Sequence, residues 1–397
     1  MFKNLINFFD KPFFKSQRNI TVLWVVATII AVIPKYFRNH NNYKIYKGVF
    51  FHLINQTSLY TEYPNEFFDK NHYGPIFSFI IAPFALLPDW IGLMLWSVFL
   101  VGLIIWSLYQ LPLKSIQIVA IMWICFNEYL ISAQSFQVNA LMVFIIVLSY
   151  VFISKKQDFW SAMLIALGTF IKLYGIVGLA FFFFSKQKFK FSVSLLFWSL
   201  LFFVAPMIIS SPSNIIHVYV EWFNDLIHKN GTNVELGTYQ DFSVMGVVRR
   251  FANDSTIPNT PFIIVGLILF GLPYLRFKAY SNKKFQLLLL ASVLIFTVIF
   301  SSGSESPTYI IAFVGVAIWF VVQENPKNKL TIALLIFALI LTSFSHTDLC
   351  PRFLIDNYIR KYSLKAIPCI VIWLVIIYEM LTEDFTRVSN KENKELL

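Results

Sequence analysis

Charge is scarce in this chain. Only 13% of its 397 residues are Asp, Glu, Lys or Arg, whereas 57% are hydrophobic. A soluble domain carries roughly 25% charged residues, and so few polar side chains cannot cover this much apolar surface in water. Cysteine is scarce too. Cys125, Cys350 and Cys369 form no CxxC pair, and Cys125 and Cys369 sit inside apolar runs, so neither a disulfide framework nor a zinc site is indicated. The chain contains no GxxxxGK[ST] loop, no HExxH, no DxD, and no GxGxxG following a strand. ATP, nucleotide sugars and a catalytic metal are therefore not indicated, and no cofactor is expected.

What the sequence does contain is one apolar run after another, many of them roughly 18 residues or more, the length of a membrane-spanning helix. About twelve spans are expected, near 20–36, 74–88, 90–109, 115–132, 136–154, 158–184, 191–210, 261–276, 285–301, 308–323, 329–344 and 366–382. The fold class is all-α: one multi-pass membrane domain over residues 1–397. Two large segments, 37–73 and 211–260, and a medium one, 345–365, lie between spans, and 383–397 forms a flexible polar tail.

Net charge is +11, but the Lys and Arg cluster in short loops. This reads as membrane topology and contact with anionic lipid headgroups rather than nucleic acid. Lys3, Lys11, Lys15 and Arg18, then 186–190, 276–284 and 325–329, are basic. With twelve spans these fall on the cytoplasmic side with both termini, and the larger loops face outward. The site of localisation is thus the cell membrane. Lys155-Lys156 falls on the outer side by this count. A break of the long sixth run near Lys172-Leu173-Tyr174-Gly175 would change the parity, which leaves the middle of the chain open.

No cleavable signal is evident, and the Phe-rich N-terminus reads as an interfacial helix on the cytoplasmic face. Two further segments have helical apolar spacing without the length of a span. Ile45, Val49, Phe50, Leu53 and Ile54 form one stripe; Ile215, Val218, Phe223, Leu226 and Ile227 form another. Both read as in-plane interfacial helices.

Polar residues collect where the first outer loop meets the membrane, and the strings there resemble a known family. Asn42-Tyr43-Lys44-Ile45-Tyr46, Leu59-Tyr60, His72-Tyr73-Gly74-Pro75 and Ala82-Pro83-Phe84-Ala85-Leu86-Leu87-Pro88 follow one another. Gln137-Val138-Asn139, Gly168-Thr169-Phe170-Ile171-Lys172, Gln240, Ser243 and Arg249-Arg250 come later in the same order. Over roughly residues 20–310 the chain resembles glycosyltransferase family 87, polyprenol-phosphate-sugar-dependent enzymes that include bacterial α-mannosyltransferases. The resemblance implies a GT-C-like helical bundle with extracytoplasmic interfacial helices. It also implies a polyprenyl-phosphate-linked sugar as donor, a lipid or glycan as acceptor, and an active site at the extracytoplasmic surface.

In one place the chain departs from the pattern. The family's acidic residue in the first outer loop falls at Asn42, and an amide cannot take a proton from a hydroxyl near neutral pH. Either another carboxylate substitutes, or the chain belongs to a variant branch, or it is not an enzyme. Among substitutes Asp69 is best placed, four residues before Tyr73, with Glu66 and Glu62 next. Lys172 within an apolar run, Arg249, Arg250 and His72 are candidates for the donor phosphate. Asn42, Tyr46, Tyr73, Gln137, Asn139, Gln240, Ser243 and Glu305 are candidates for sugar or acceptor contacts. The readings that compete with an enzyme are a non-catalytic transporter or flippase of lipid-linked sugars and a structural subunit of an envelope assembly; no convincing internal repeat supports a transporter.

Overall fold

The structure, a computed structural model, describes residues 11–324 and 327–385, and among these it is helical with no strand. Lys3, most of the expected N-terminal interfacial helix, part of the 325–329 cluster and nearly all of the expected tail lie outside the described residues. Among the described residues six helices are long and apolar enough to cross a membrane, and five shorter apolar ones run to 10–17 residues. The chain divides into two units, Met1–Lys229 and Asn230–Leu397.

The first unit begins with α1 (Gln17–Arg38) and α2 (Asn41–Ile54). In α2 the expected apolar stripe is there, but it faces protein: Ile45, Val49, Phe50 and Leu53 are buried. Tyr46 meets the rings of Tyr73, Phe77 and Trp96, and the Tyr43 hydroxyl donates to Phe84 O at 2.9 Å. The expected second span is only α3 (Phe77–Ala85), nine residues with Pro83 inside. Pro75 precedes it and Pro88 follows. Proline cannot donate to a helical ladder and restrains the residue before it, so the helix stays near 14 Å long, half of a bilayer core. The next three helices follow their apolar runs: α4 (Asp89–Tyr109), α5 (Ser115–Gln134) and α6 (Asn139–Ser154).

The expected sixth span, 158–184, is instead a tight hairpin. Its first limb is α7 (Asp158–Ile171) and its second is a 3-10 helix, Leu173–Phe184. Between them Lys172 is extended, with φ −151° and ψ 126°. The limbs touch at paired positions. A Cβ on Gly175 would lie 2.2 Å from Gly168 C, and one on Gly178 would lie 2.6 Å from Ile165 Cγ1. At the open end the Ser185 hydroxyl bonds the Asp158 carboxylate. Only glycine lets the limbs approach so closely. Helices α8 (Lys188–Val204) and α9 (Pro212–Asn233) follow.

Hydrogen bonds sort the loops of this unit into two ends. At one end Lys155 Nζ donates to Gln110 Oε1 at 3.0 Å, and Tyr109 bonds Thr21. At the other, Asn42 Nδ2 donates to Ser135 O (2.8 Å), Lys47 pairs with Asp89 (2.6 Å), Ser211 donates to Gln56 (2.8 Å) and Gly74 N donates to Ile171 O (3.0 Å). The hairpin apex belongs to this second end. Its open end brings Lys155-Lys156 and the basic 186–190 segment together.

The second unit is built on α10 (Val244–Ala252), α11 (Thr260–Gly271), α12 (Lys283–Ile299), α13 (Tyr309–Val321), α14 (Lys329–Phe337, continued by irregular turns to His346) and α15 (Ile367–Thr382). Helices α12 and α13 form its centre and are buried on all sides. Gly315 permits their approach, because a Cβ there would lie 2.7 Å from Ala291 O. Trp373 of α15 closes the layer by donating to Ser292 at 2.9 Å. At one end Lys284 pairs with Glu383 (2.6 Å) and Arg276 holds the carbonyls of Met380 and Glu383.

Candidate active site

The loop 55–76 is held to the rest of the first unit by short polar contacts. Asn71, 2% exposed, bonds Tyr73 twice, and the Tyr60 hydroxyl donates to Tyr73 O at 3.0 Å. Gly74 then packs onto the hairpin apex. A Cβ at Gly74 would lie 2.0 Å from Phe170 O and 2.9 Å from the Trp222 ring. The loop and the Lys172 turn therefore sit against one another, two segments a hundred residues apart in sequence. Lys172 Nζ lies 4.2 Å from the centre of the Tyr174 ring, a cation–π contact that holds the ammonium at the apex.

Asp69 has φ 66°, a left-handed conformation that costs a non-glycine residue about 1–3 kcal/mol and gathers at functional sites. Its side chain is 56% exposed. His72 Nε2 lies 3.8 Å from Oδ1 and Lys229 Nζ 3.8 Å from Oδ2. These are ion pairs too long to be hydrogen bonds. His72 does most to depress the Asp69 carboxyl to about 2; burial opposes it, and Lys229 and the Lys70 N–H add to it. The other face of the imidazole is held more tightly, with His72 Nδ1 2.6 Å from Oδ2 of buried Asp225. Burial works against the charged ring, but Asp225 and Asp69 outweigh it and raise the His72 pKa.

The remaining carboxylates of the loop differ. Glu66 lies 3.1 Å from His52 Nε2 on the α2 side, and Glu62 is exposed with no polar partner among the described residues. Asn42 is half-buried on α2 and donates to Ser135 O. Through that bond it reaches the Gln137-Val138-Asn139 turn, where Asn139 donates to Gln137 Oε1 at 2.7 Å. Gln137 also lines a small cavity with Ser97, Tyr129 and Ser132, about 10 Å³ in volume, room for a single water and not for a sugar. Tyr46 and Tyr73 meet hydroxyl to hydroxyl at 3.3 Å. Asn42, Tyr46, Tyr73, Gln137, Asn139, Asp69, His72 and Lys172 thus all occupy the same end of the first unit.

The other candidates form a separate cluster in the second unit. Arg249 is 1% exposed and pairs with Asp241 at 2.7 Å, with Ile257 O at 2.8 Å and with Asn259. Arg250 donates to the carbonyls of Thr238 (3.0 Å), Gln240 (2.6 Å) and Arg360. Both guanidiniums are engaged within the unit. Ser243 caps α10 through Gly246 N and donates to Asp241 at 2.6 Å. Gln240 donates to Glu305 Oε1 at 3.1 Å.

Reading the sequence missed Asp225 and Lys229. The signal was available. Trp222, Asp225 and Lys229 recur at helical spacing on α9, opposite the exposed stripe Ile216, Val220, Phe223 and Ile227. An acid on the inward face of an amphipathic helix requires a partner.

No curated protein matches the chain. The family model described as glycosyltransferase family 87 matches residues 71–302. The match covers more than half of the sequence and includes His72, Gly74, Lys172, Asp225 and the two arginines. On that match, the chain belongs to glycosyltransferase family 87.

Proposed function

We propose that this glycosyltransferase moves a mannose-like hexose from a polyprenyl-phosphate donor to a lipid or glycan acceptor, at the extracytoplasmic face of the cell membrane, with Asp69 as the base. One observation carries the reading. The Gly74 contact packs the loop that carries Asp69 and His72 against the turn that carries Lys172, so a carboxylate on a strained backbone and a cation come from adjacent segments. Transfer needs both kinds of group. The acceptor hydroxyl gives its proton to the Asp69 carboxylate as its oxygen bonds the sugar carbon, and the carbon–oxygen bond to the phosphate breaks. The departing phosphate keeps that electron pair, and the Lys172 ammonium is the cation for it. Asn42, facing Ser135, is a hydrogen-bond donor rather than a base. Glu66, beside His52, and Glu62, out in solvent, stand as weaker alternatives to Asp69. Arg249 and Arg250 spend their donors on Asp241 and on backbone carbonyls, which favours Lys172 for the phosphate.

The hairpin supports the proposed sidedness. With α3 too short to cross and the 158–184 run returning on itself, α1, α4 to α8, the 3-10 limb and α11 to α15 make twelve passes among the described residues. Lys155-Lys156 now joins 186–190, Lys11, Lys15 and Arg18 on one side, which the positive-inside rule makes cytoplasmic. Asp69 and Lys172 then face outward. Incubating the purified protein with polyprenyl-phosphate mannose, related donors and candidate lipid acceptors tests the reading. Transfer that Asp69→Ala abolishes is the expected result. No transfer across the donor panel, with Asp69→Ala leaving the cell's glycolipids unchanged, would sink it.

A further inference from the structure

We infer that Asp225 is the positioning residue for Asp69, acting through His72 from the inward face of α9; this rests on the reading of Asp69 as the base. Asp225 sits on a helix that grips His72 twice. Trp222 Nε1 donates to His72 O at 3.0 Å, fixing the backbone, and Asp225 Oδ2 lies 2.6 Å from Nδ1, fixing the ring. One turn further on, Lys229 reaches the other oxygen of Asp69 at 3.8 Å. A single helical face thus places a hydrogen-bond donor, a carboxylate and an ammonium around the loop that carries the base.

The chemistry follows from hydrogen inventories. A carboxylate only accepts, so the contact with Asp225 puts a proton on Nδ1. Nε2 is buried and points toward Asp69. In a neutral ring with Nδ1–H, Nε2 would turn a lone pair toward the Asp69 carboxylate and repel it. With Asp225 opposite, the ring holds both protons, and Nε2–H attracts Asp69 instead. The groups facing His72 are Asp69 from its own loop, and Asp225 and Lys229 from α9. Tyr60 stays a phenol near them, because burial and then Asp225 push its pKa upward. Glu221 is engaged by Ser58 at 3.0 Å. Asp225 is therefore the acid that offsets burial of the imidazolium. Its loss removes the imidazolium from the Asp69 carboxylate and leaves the Lys70 N–H at 2.9 Å and Lys229 at 3.8 Å against it.

The test uses the full-length protein with Asp225→Asn, Asp225→Ala, Asp225→Glu and Asp69→Asn, assayed for hexose transfer as a function of pH. Asp225→Asn keeps the shape and removes the charge. It should lower kcat about 10- to 100-fold, the scale of loss when the carboxylate behind a metal-bound histidine is removed, leave the donor KM nearly unchanged, and move the alkaline limb of the rate profile to lower pH. Asp225→Glu should restore part of kcat. Nitrogen-15 histidine spectra give a readout independent of turnover: His72 should show two protonated ring nitrogens at neutral pH, and one in Asp225→Asn. If Asp225→Ala fails to fold, Asp225→Asn and its combination with His72→Gln carry the test, and the two losses should not add. Wild-type kcat and pH profile in Asp225→Asn, with Asp69→Asn inactive, overturn the inference and leave the base standing. An active Asp69→Asn overturns the base itself, and the spectra then still decide whether Asp225 sets the charge of His72.

Discussion

Gly74→Ala is the sharpest steric probe of the site. The glycine has no positive φ, so alanine meets no backbone strain there and the effect is contact alone. The new methyl would stand 2.0 Å from Phe170 O and 2.9 Å from the Trp222 ring. A carbon cannot sit that close to a carbonyl oxygen. The loop or the hairpin apex has to retreat by about an ångström, and overpacking of this kind costs about 1–3 kcal/mol. The same retreat stretches the Gly74 N to Ile171 O bond, now 3.0 Å, and a buried amide left unpaired costs about 1–3 kcal/mol more. The kinetic effect should be larger than the thermal one. Asp69 and His72 lie five and two residues upstream, and misplacement by about 1 Å costs as much as about 100-fold in rate. The assay is transfer rate beside detergent melting temperature, with Gly102→Ala as control. Nothing lies within 4 Å of a Cβ at Gly102, and a helical alanine there should gain up to about 1 kcal/mol. Full activity and unchanged melting in Gly74→Ala would refute the docking of the loop on the apex.

Other outcomes follow from the same contacts. In a cysteine-free background, Lys156→Cys and Gln187→Cys should both react with an impermeant thiol reagent only from the cytoplasmic side, and Asn65→Cys only from outside; opposite reactivity of the first two would abolish the hairpin. Arg249→Ala leaves Asp241 as a buried, unpaired charge and should cost about 3–5 kcal/mol, lowering melting more than turnover per folded molecule. A raised donor KM at unchanged melting would instead return Arg249 to the phosphate. Asp69 is depressed from 3.8 to about 2, so its contribution is present above about pH 4 and is lost as pH falls through about 2. The full depression is worth about 2.4 kcal/mol, but the carboxylate is half exposed and screening leaves under about 1 kcal/mol. Asp69→Asn should therefore melt within a few degrees of wild type at neutral pH while losing transfer. His72 has the opposite sign: its raised pKa stabilises the fold below the ordinary imidazole range, and that contribution is lost as pH rises through the folded value. Melting of the wild type should fall on that alkaline side, and His72→Gln should not show it.

Much of the architecture was legible because apolar length is a strong physical signal. Helices α4, α5 and α6 follow their apolar runs closely. Two expected spans differ in the structure, the second at the Lys172–Gly175 break the sequence itself suggests, and they share a cause. Residues 74–88 and 158–184 are as apolar as true spans, and hydropathy cannot see geometry. Proline shortened the first. In the second, Gly168, Gly175 and Gly178 let the chain return along itself, a contact between positions that no periodicity reveals. For α2 the apolar stripe is there, but Ile45, Val49, Phe50 and Leu53 are buried in protein, since a face that suits lipid also suits a protein interior. The candidate site was legible where chemistry is local: Asp69, His72 and Lys172 each stood out as polar groups beside apolar sequence. Asp225 did not, because its importance lies in a partner 153 residues away.

The short limbs of the hairpin bear on the lipid around it. Fourteen α-helical residues span about 21 Å, and twelve 3-10 residues about 24 Å. Both fall short of the roughly 30 Å hydrocarbon core. Such mismatch is relieved by thinning the bilayer locally or by sinking the turn beneath the headgroup plane. Either way the turn that carries Lys172 would sit below the average headgroup plane, within reach of a group carried on a lipid tail. A substrate anchored by such a tail would arrive from the side, within the leaflet, rather than fall in from water.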